Sequence, residues 1–263
     1  IIVGGGTFYC NRLIEQLKLN KNDGVVRISL MHYNTFSEIN NLIEILNKFK
    51  KYDMTFNFTL HSNLKNNLTN KIKDSFNNIN IDSYYENKRL RAFSLLKIND
   101  NNLEIINNAD FFQSTNYNSY NGNKIRKYEN IPSCLLDDLC FKLLVKTFIE
   151  NAESNMCDSI KYIYVHQIRV YAENDKETNL IPEGIHRDGY NIIGMVCINR
   201  ENISGGISGI YDSEKNKVYD VQLQSGEMLI VNDNKMFHDV TNIIKYKENK
   251  EGYRDIFVFT TIS

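Results

Sequence analysis

The stretch Tyr162-Ile163-Tyr164-Val165-His166-Gln167-Ile168-Arg169-Val170-Tyr171 is rich in β-branched and aromatic residues and carries no glycine or proline. That is the composition of a strand. Segments of the same character follow it between turn residues: Asn191 to Asn199, Ile207 to Tyr211, Lys217 to Leu223, Glu227 to Asn232, Met236 to Ile243 and Tyr253 to Ile262. Seven short strands at this spacing predict a mainly β chain with flanking helices, a jelly-roll or double-stranded β-helix barrel of the cupin-like kind.

Before Tyr162 the character differs. Weaker β signals over Leu90 to Ile98 and Asp110 to Gln113 add strands at the barrel edge. From Asn34 to Lys51, Phe36, Ile39, Leu42, Ile43, Leu46 and Phe49 recur at intervals of three and four, which predicts a helix. A second helix is expected after Pro132-Ser133, with Leu135, Leu136, Leu139, Leu143, Leu144 and Phe148 as its stripe and Ser133 as its cap. Both helices are expected to pack on a sheet. The 263 residues are read as one catalytic domain, in which 1–158 form a mixed part supporting the pocket and 159–263 form the barrel core.

A formal net charge of -1, from 31 basic and 32 acidic residues, supplies no long-range field for nucleic acid or an anionic membrane. The apolar run Ile192 to Ile198 is too short to cross a bilayer, and no basic region followed by an apolar core opens the sequence. A soluble cytoplasmic protein with a small-molecule substrate is the expectation. Cys10, Cys134, Cys140, Cys157 and Cys197 form an odd set without a C-x-x-C pair, as free thiols in a reducing compartment would. Cys197 sits in an apolar run and reads as a small core residue.

The chemistry concentrates in Pro182-Glu183-Gly184-Ile185-His186-Arg187-Asp188-Gly189. In extended chain alternate side chains share a side, so His186 and Asp188 point one way and Arg187 the other. His238, in the late strand segment Met236-Phe237-His238-Asp239-Val240, is the candidate third ligand. Two imidazoles and one carboxylate form the facial triad suited to Fe(II), with open positions for a bidentate 2-oxo acid and dioxygen. Arg254, one strand later in Gly252-Tyr253-Arg254-Asp255, can hold the distal carboxylate of 2-oxoglutarate through two parallel hydrogen bonds. Pairing of Arg254 with Asp255 or another acid is the alternative. Gly205-Gly206 serves either a tight turn or a close approach to ligand. His32 and His61 have no acidic or histidine neighbour in sequence and read as surface or packing residues.

Taken in order, Val165-His166-Gln167-Ile168-Arg169, Glu183 to Gly189, Gly205-Gly206 with Ile210-Tyr211-Asp212, His238-Asp239-Val240-Thr241 and Tyr253-Arg254-Asp255 resemble the bacterial 2-oxoglutarate/Fe(II)-dependent dioxygenases that hydroxylate free amino acids. The resemblance covers roughly the last hundred residues, and more faintly Phe111-Phe112-Gln113 with Tyr117-Asn118 and Arg126. It implies His186, Asp188 and His238 as iron ligands, Arg254 as the 2-oxoglutarate anchor, and hydroxylation of an unactivated C–H bond with release of succinate and carbon dioxide. Halogenases of the wider superfamily lack the carboxylate ligand, so Asp188 favours hydroxylation. A free amino acid needs a cation for its carboxylate and an acceptor for its ammonium group, and Arg126, His166, Gln167 and Arg169 are the candidates. Gln167 and Arg169 share one face of their strand and His166 takes the other; Gln167 and Arg169 are expected inside.

Other readings keep the cofactors and change the substrate to a peptide or a natural-product intermediate, with hydroxylation or desaturation. A non-catalytic cupin-like binding module is a further alternative, against which the full set of two His, one Asp and a distal Arg counts. A zinc hydrolase on the same ligands would want a general-base Glu beside the metal, and no such motif is present.

Overall fold

The structure, a computed structural model, describes residues 2–6, 25–29, 34–52, 56–62, 64, 68–99, 102–106, 109–156, 159–174 and 176–262. Cys10, His32 and Cys157 lie outside the described residues. The chain divides into two compact units, Ile1–Asp53 and Met54–Ser263.

In the first unit, β1 (Ile2–Gly6) pairs antiparallel with β2 (Val25–Ser29), Ile2 lying opposite Ser29. The expected helix follows as α1 (Phe36–Tyr52). Its start is closed reciprocally. Thr35 donates its N–H to Glu38 Oε2 at 2.8 Å, and the Glu38 N–H donates to Thr35 Oγ1 at 3.3 Å. This capping box satisfies two backbone donors that the first turn leaves free.

The second unit contains β3 (Phe58–His61), α2 (Asn70–Ser75), β4 (Arg89–Asn99), β5 (Asn102–Ile106), α3 (Leu139–Met156), β6 (Tyr162–Tyr171), β7 (Ile192–Glu201) and β8 (Ile203–Gly205). It continues through β9 (Ser208–Tyr211), β10 (Lys217–Val221), β11 (Met228–Asn232), β12 (Phe237–Val240), β13 (Ile243–Lys245) and β14 (Tyr253–Thr261). A large antiparallel sheet runs in the order β3-β11-β7-β14-β6-β4-β5. Facing it are the short sheets β10-β9-β12 and β13-β8. Bridges from Thr178 to Ile243 and from His186 to His238 lay the irregular segment before β7 alongside them. Two opposed antiparallel layers with a cavity between them constitute the expected double-stranded β-helix.

The large sheet is covered on both faces, and this determines which side chains reach the cavity. On its outer face Phe257 and Phe259 of β14 pack against Phe141 and Phe148 of α3, in one cluster with Ile163 and Val165. On the inner face β4 contributes Arg89 and Arg91, β6 contributes His166, Ile168 and Val170, and β14 contributes Arg254, Ile256, Val258 and Thr260.

Three expectations change in detail. Ser133 opens a short 3-10 turn and does not cap the helix; α3 begins at Leu139. The cap is Asp138, whose Oδ1 accepts the N–H groups of Cys140 at 2.9 Å and Phe141 at 3.0 Å. The segment Met236 to Ile243 is two strands, because the chain turns where Thr241 N–H bonds the Ile207 carbonyl and Gly206 N–H bonds the Asn242 carbonyl. The weak β signal at Asp110 to Gln113 comes down to one bridge, Phe111 to Arg126.

Candidate metal centre

His186, Asp188 and His238 each present a ligand atom, and these atoms all lie within 4.8 Å of one another. Asp188 sits between the imidazoles, its Oδ1 3.6 Å from His186 Nε2 and its Oδ2 3.5 Å from His238 Nε2. The local chain explains the aim. Gly184 and Gly189 bracket the motif with φ of +71° and +86°, a left-handed backbone that favours glycine. At Gly189 a Cβ would also strike the Tyr117 ring. Arg187 turns away, donating to the Lys235 and Met236 carbonyls and lying 4.1 Å over the Phe237 ring.

Around the triad a second set of bonds fixes the ligand side chains. His186 Nδ1 lies 2.8 Å from the Gly184 carbonyl, which orients a donating Nδ1–H and leaves Nε2 facing Asp188. Asp233, buried at 1% exposure, accepts the backbone N–H groups of Asp188, Gly189 and Tyr190 at 3.2, 2.8 and 3.2 Å. Its Oδ1 stands 3.5 Å from His238 Nδ1. Gln113 donates from Nε2 to the Asp188 carbonyl and to Oδ1, both at 3.2 Å.

Charge follows this geometry. Burial opposes ionisation of Asp188, but the imidazoles of His186 and His238 outweigh it and hold the carboxyl well below the usual range. Burial likewise works against a proton on His186; hydrogen bonding and attraction from Asp188 reverse the sign and push it up to about 9. Asp233 moves up, through burial and the neighbouring Asp188 charge.

The triad opens onto a cavity of about 140 Å³. Arg254 lines it from β14, 5% exposed, with its Nε unpartnered. Among the described residues no carboxylate lies within ion-pair distance of it, so the pairing with Asp255 does not form: Asp255 faces the other side of the sheet. Burial pulls the Arg254 guanidinium down to about 10, with Cys197 opposing and Arg200 adding to the fall. Gly206 has a φ of +65°, and a Cβ there would crowd Arg200 Nη1 at 3.1 Å and Ile243 Cγ2 at 3.2 Å while making only ordinary contact with Arg254 Cδ. At Gly205 a Cβ would collide with the Asn242 carbonyl, so this glycine serves a turn and a backbone approach.

Arg126 also lines the cavity and is fully buried. One Nη donates to Gln113 Oε1 at 2.8 Å, the guanidinium lies 4.3 Å over the Phe111 ring, and its Nε has no partner. His166 is inside too. Its Nδ1 is 2.9 Å from Arg91 Nη2, and it stacks on Phe93 at 4.7 Å. Burial, reinforced by the Arg91 charge, holds it well below its ordinary value, so it is neutral and accepts from Arg91.

Gln167 and Arg169 are not in the cavity, which reverses the expected facing of their strand. Gln167 Nε2 donates to Ser75 Oγ at 2.8 Å on the helical side. Arg169 makes a bidentate pair with Asp255, at 2.6 and 2.8 Å, and bonds Asn77 at 2.7 Å. Since both sheet faces are covered, these polar residues found partners beneath α2 and left His166, Ile168 and Val170 to the cavity. His61 lies 3.1 Å from Asn151 Oδ1, a packing role.

Sequence reasoning missed Asp233, Arg89 and Arg91, and did not foresee that Gln113 would touch a triad carboxylate. Asp233 announces itself only as a turn acid after a strand, and the arginines as charges in a weak strand signal.

Comparisons with known proteins bear on the family and the fold. Residues 73–260 match the family described as 2OG-Fe dioxygenase. The chain is 28% identical over 185 residues to L-isoleucine-4-hydroxylase of Bacillus thuringiensis, covering 68% of this chain and 77% of that one. It is similar in structure to a bsmA homolog from Methylobium petroleophilum, with a TM-score of 0.67 at 20% identity over 79% of this chain and 89% of that one. IDO from Bacillus thuringiensis gives 0.63 at 20% identity, over 89% and 99%. These two structures bear on the fold, and both speak for the barrel described above. Among the described residues no helix is long and apolar enough to cross a membrane. Two imidazoles and a carboxylate beside a buried guanidinium that has no acidic partner among the described residues form a donor set that fits Fe(II) and a dicarboxylic 2-oxo acid. The chain belongs to the 2OG-Fe dioxygenase family: it is a 2-oxoglutarate-dependent dioxygenase, and its membership implies Fe(II), 2-oxoglutarate and dioxygen.

Proposed function

We propose that this dioxygenase hydroxylates an unactivated C–H bond of a free L-amino acid or a close derivative. Iron would rest on His186, Asp188 and His238, and the distal carboxylate of 2-oxoglutarate on Arg254. Bound iron with 2-oxoglutarate and dioxygen supplies the oxidant: one oxygen atom enters the substrate C–H bond and the other enters succinate, as carbon dioxide leaves.

The observation that carries this reading is that the buried guanidiniums of Arg254 and Arg126 line the same cavity as the triad and, among the described residues, form no ion pair; Arg89 shares these features but donates to the Leu180 carbonyl. Arg254 suits a co-substrate carboxylate and Arg126 a substrate carboxylate, through charge-assisted hydrogen bonds. Arg126 is held near the triad through Gln113, so it would orient an amino acid by its α-carboxylate with its side chain toward the metal. Apolar residues complete the space: Phe111, Ile168, Val170, Ile256 and Val258. A cavity of this size favours a small molecule over a peptide. The resemblance to an isoleucine hydroxylase supports an amino-acid substrate, and Asp188 supports hydroxylation over halogenation.

The test has two steps. Anaerobic addition of 2-oxoglutarate to the Fe(II)-loaded protein is expected to give the visible charge-transfer band of a chelated 2-oxo acid. A panel of free L-amino acids is then scored by mass for a gain of one oxygen with matching succinate. A band with no product from any free amino acid would refute the substrate class; no band would refute the site.

A further inference from the structure

Gln113 is the one side chain among the described residues that hydrogen-bonds both a triad carboxylate and a cavity guanidinium. Its Nε2 donates to Asp188 Oδ1 and to the Asp188 carbonyl, each at 3.2 Å. Its Oε1 accepts from Arg126 Nη2 at 2.8 Å and from Asn118 Nδ2 at 3.3 Å. The four bonds together fix the amide: a flipped Gln113 would face NH₂ against two N–H donors and C=O against two oxygen acceptors.

The setting makes this arrangement stiff. Gln113, Asn118 and Arg126 are all buried, at 8%, 5% and 0% exposure. Asn118 is itself pinned, its Oδ1 accepting the N–H groups of Tyr120 and Asn121 at 3.1 and 2.6 Å. Phe111 and Arg126 exchange both backbone hydrogen bonds, at 3.0 and 2.9 Å, so the chain that carries Gln113 is tied directly to the chain that carries Arg126. Asp188 is also held from its other side, where Asp233 accepts its N–H.

We propose that Gln113 is a positioning residue that couples Arg126 to Asp188, so that the occupancy of the guanidinium and the metal affinity of the triad are linked. The physical reason is shared polarisation. Arg126 draws electron density toward Gln113 Oε1, which strengthens the Nε2 donation to Asp188 and holds that carboxylate in one rotamer. A carboxylate ligand on Arg126 competes with Gln113 for the same guanidinium and relaxes this hold. Linkage makes the effect reciprocal, so a metal on Asp188 also alters how Arg126 receives its ligand. Gln113 itself touches neither metal nor substrate in this scheme.

The test needs no knowledge of the substrate, because it reads the metal alone. Co(II) binding is measured by calorimetry on the full chain, without 2-oxoglutarate, in the wild type, Gln113→Met, Arg126→Met and the double variant. Gln113→Met is expected to raise the Co(II) dissociation constant by roughly 10- to 100-fold, the usual cost of losing an outer partner of a metal ligand. Arg126→Met, one side chain further from the metal, should raise it by a smaller factor, and should have no further effect once Gln113 is already Met. That non-additivity is what a merely structural role would not produce. The d–d spectrum of bound Co(II) should shift in Gln113→Met as the Asp188 carboxylate changes its mode of coordination.

A double variant equal to the product of the singles, or a Gln113→Met protein with wild-type affinity, overturns the coupling. Should an apolar variant fail to fold by circular dichroism, Gln113→Asn and Arg126→Lys replace it. Each keeps a polar group and shortens its reach or loses its fork, so each must still weaken Co(II), and unchanged affinity in both refutes the proposal. The inference rests on the triad as a metal site, and the outcomes separate the two: no Co(II) binding by the wild type fells that reading, whereas normal binding with unaffected variants fells only the coupling.

Discussion

His186 and His238 exchange both of their backbone hydrogen bonds, His186 N–H to the His238 carbonyl at 3.0 Å and His238 N–H to the His186 carbonyl at 2.9 Å. Residues directly opposite in an antiparallel pair send their side chains to the same face, so the bridge brings the two imidazole centroids to 4.4 Å. The ligands are thus preset by the backbone before any ion arrives. Removing metal with a chelator should therefore abolish 2-oxoglutarate turnover while leaving far-ultraviolet dichroism unchanged, and Fe(II) should restore activity where Zn(II) does not. Loss of secondary structure on chelation would show that the ion, and not the bridge, assembles the site.

Arg254 should separate binding from stability. It is a buried cation without a counter-charge among the described residues, so Arg254→Met is expected to melt at the same temperature as the wild type or slightly above it in the absence of ligand. The same change should weaken 2-oxoglutarate by at least about 100-fold, roughly 3 kcal/mol for a charge-assisted bidentate contact. Thermal shift with and without 2-oxoglutarate reads both. A large fall in the ligand-free melting temperature would show that Arg254 is structurally paired.

Asp233 collects three backbone N–H groups and stands beside His238, although it contributes nothing to the triad itself. Asp233→Ala leaves those buried donors without an acceptor and should destabilise the fold by about 2–4 kcal/mol. It should also weaken Co(II) by roughly 10- to 100-fold through the loosened His238. Denaturant unfolding together with metal titration tests this, and a variant unchanged in metal affinity would break the link to His238.

Arg169 and Asp255 lie on the covered outer face, so they should matter to folding and not to substrate. Breaking the buried pair with Arg169→Met alone should cost about 3–5 kcal/mol, and adding Asp255→Leu should recover most of it. The double variant should keep the wild-type KM for 2-oxoglutarate and for any amino-acid substrate. A raised KM would return Arg169 to the cavity.

His166 predicts a pH dependence. Its folded-state value is depressed below the unfolded one near 6.5, so the unfolded chain binds the extra proton first. Stability attributable to neutral His166 is then fully present above pH about 6.5 and falls as the solution is acidified below that, with a slope of about 1.4 kcal/mol per pH unit. His166→Asn, whose Oδ1 can accept from Arg91 in place of Nδ1, should lose this slope. Melting curves between pH 8 and pH 5 measure it, and equal slopes in both proteins would contradict a buried neutral imidazole.

The sequence alone determined the strand-rich half, the barrel and the three candidate ligands, because each is written locally: alternation aims His186 and Asp188 together, glycines with φ above zero bracket them, and the late strand carries His238. Tertiary structure alone decided the facing of Tyr162–Tyr171. A strand exposed on one side shows its parity as a contrast of polar and apolar residues, but this one is buried on both faces, so Gln167 and Arg169 could satisfy themselves on either side. Asp255 and Ser75, distant in sequence, settled the matter by lying on the outer face. For the same reason Asp233 and Gln113 stayed hidden: their importance lies in hydrogen bonds across 45 and 75 residues of chain, which no local pattern records.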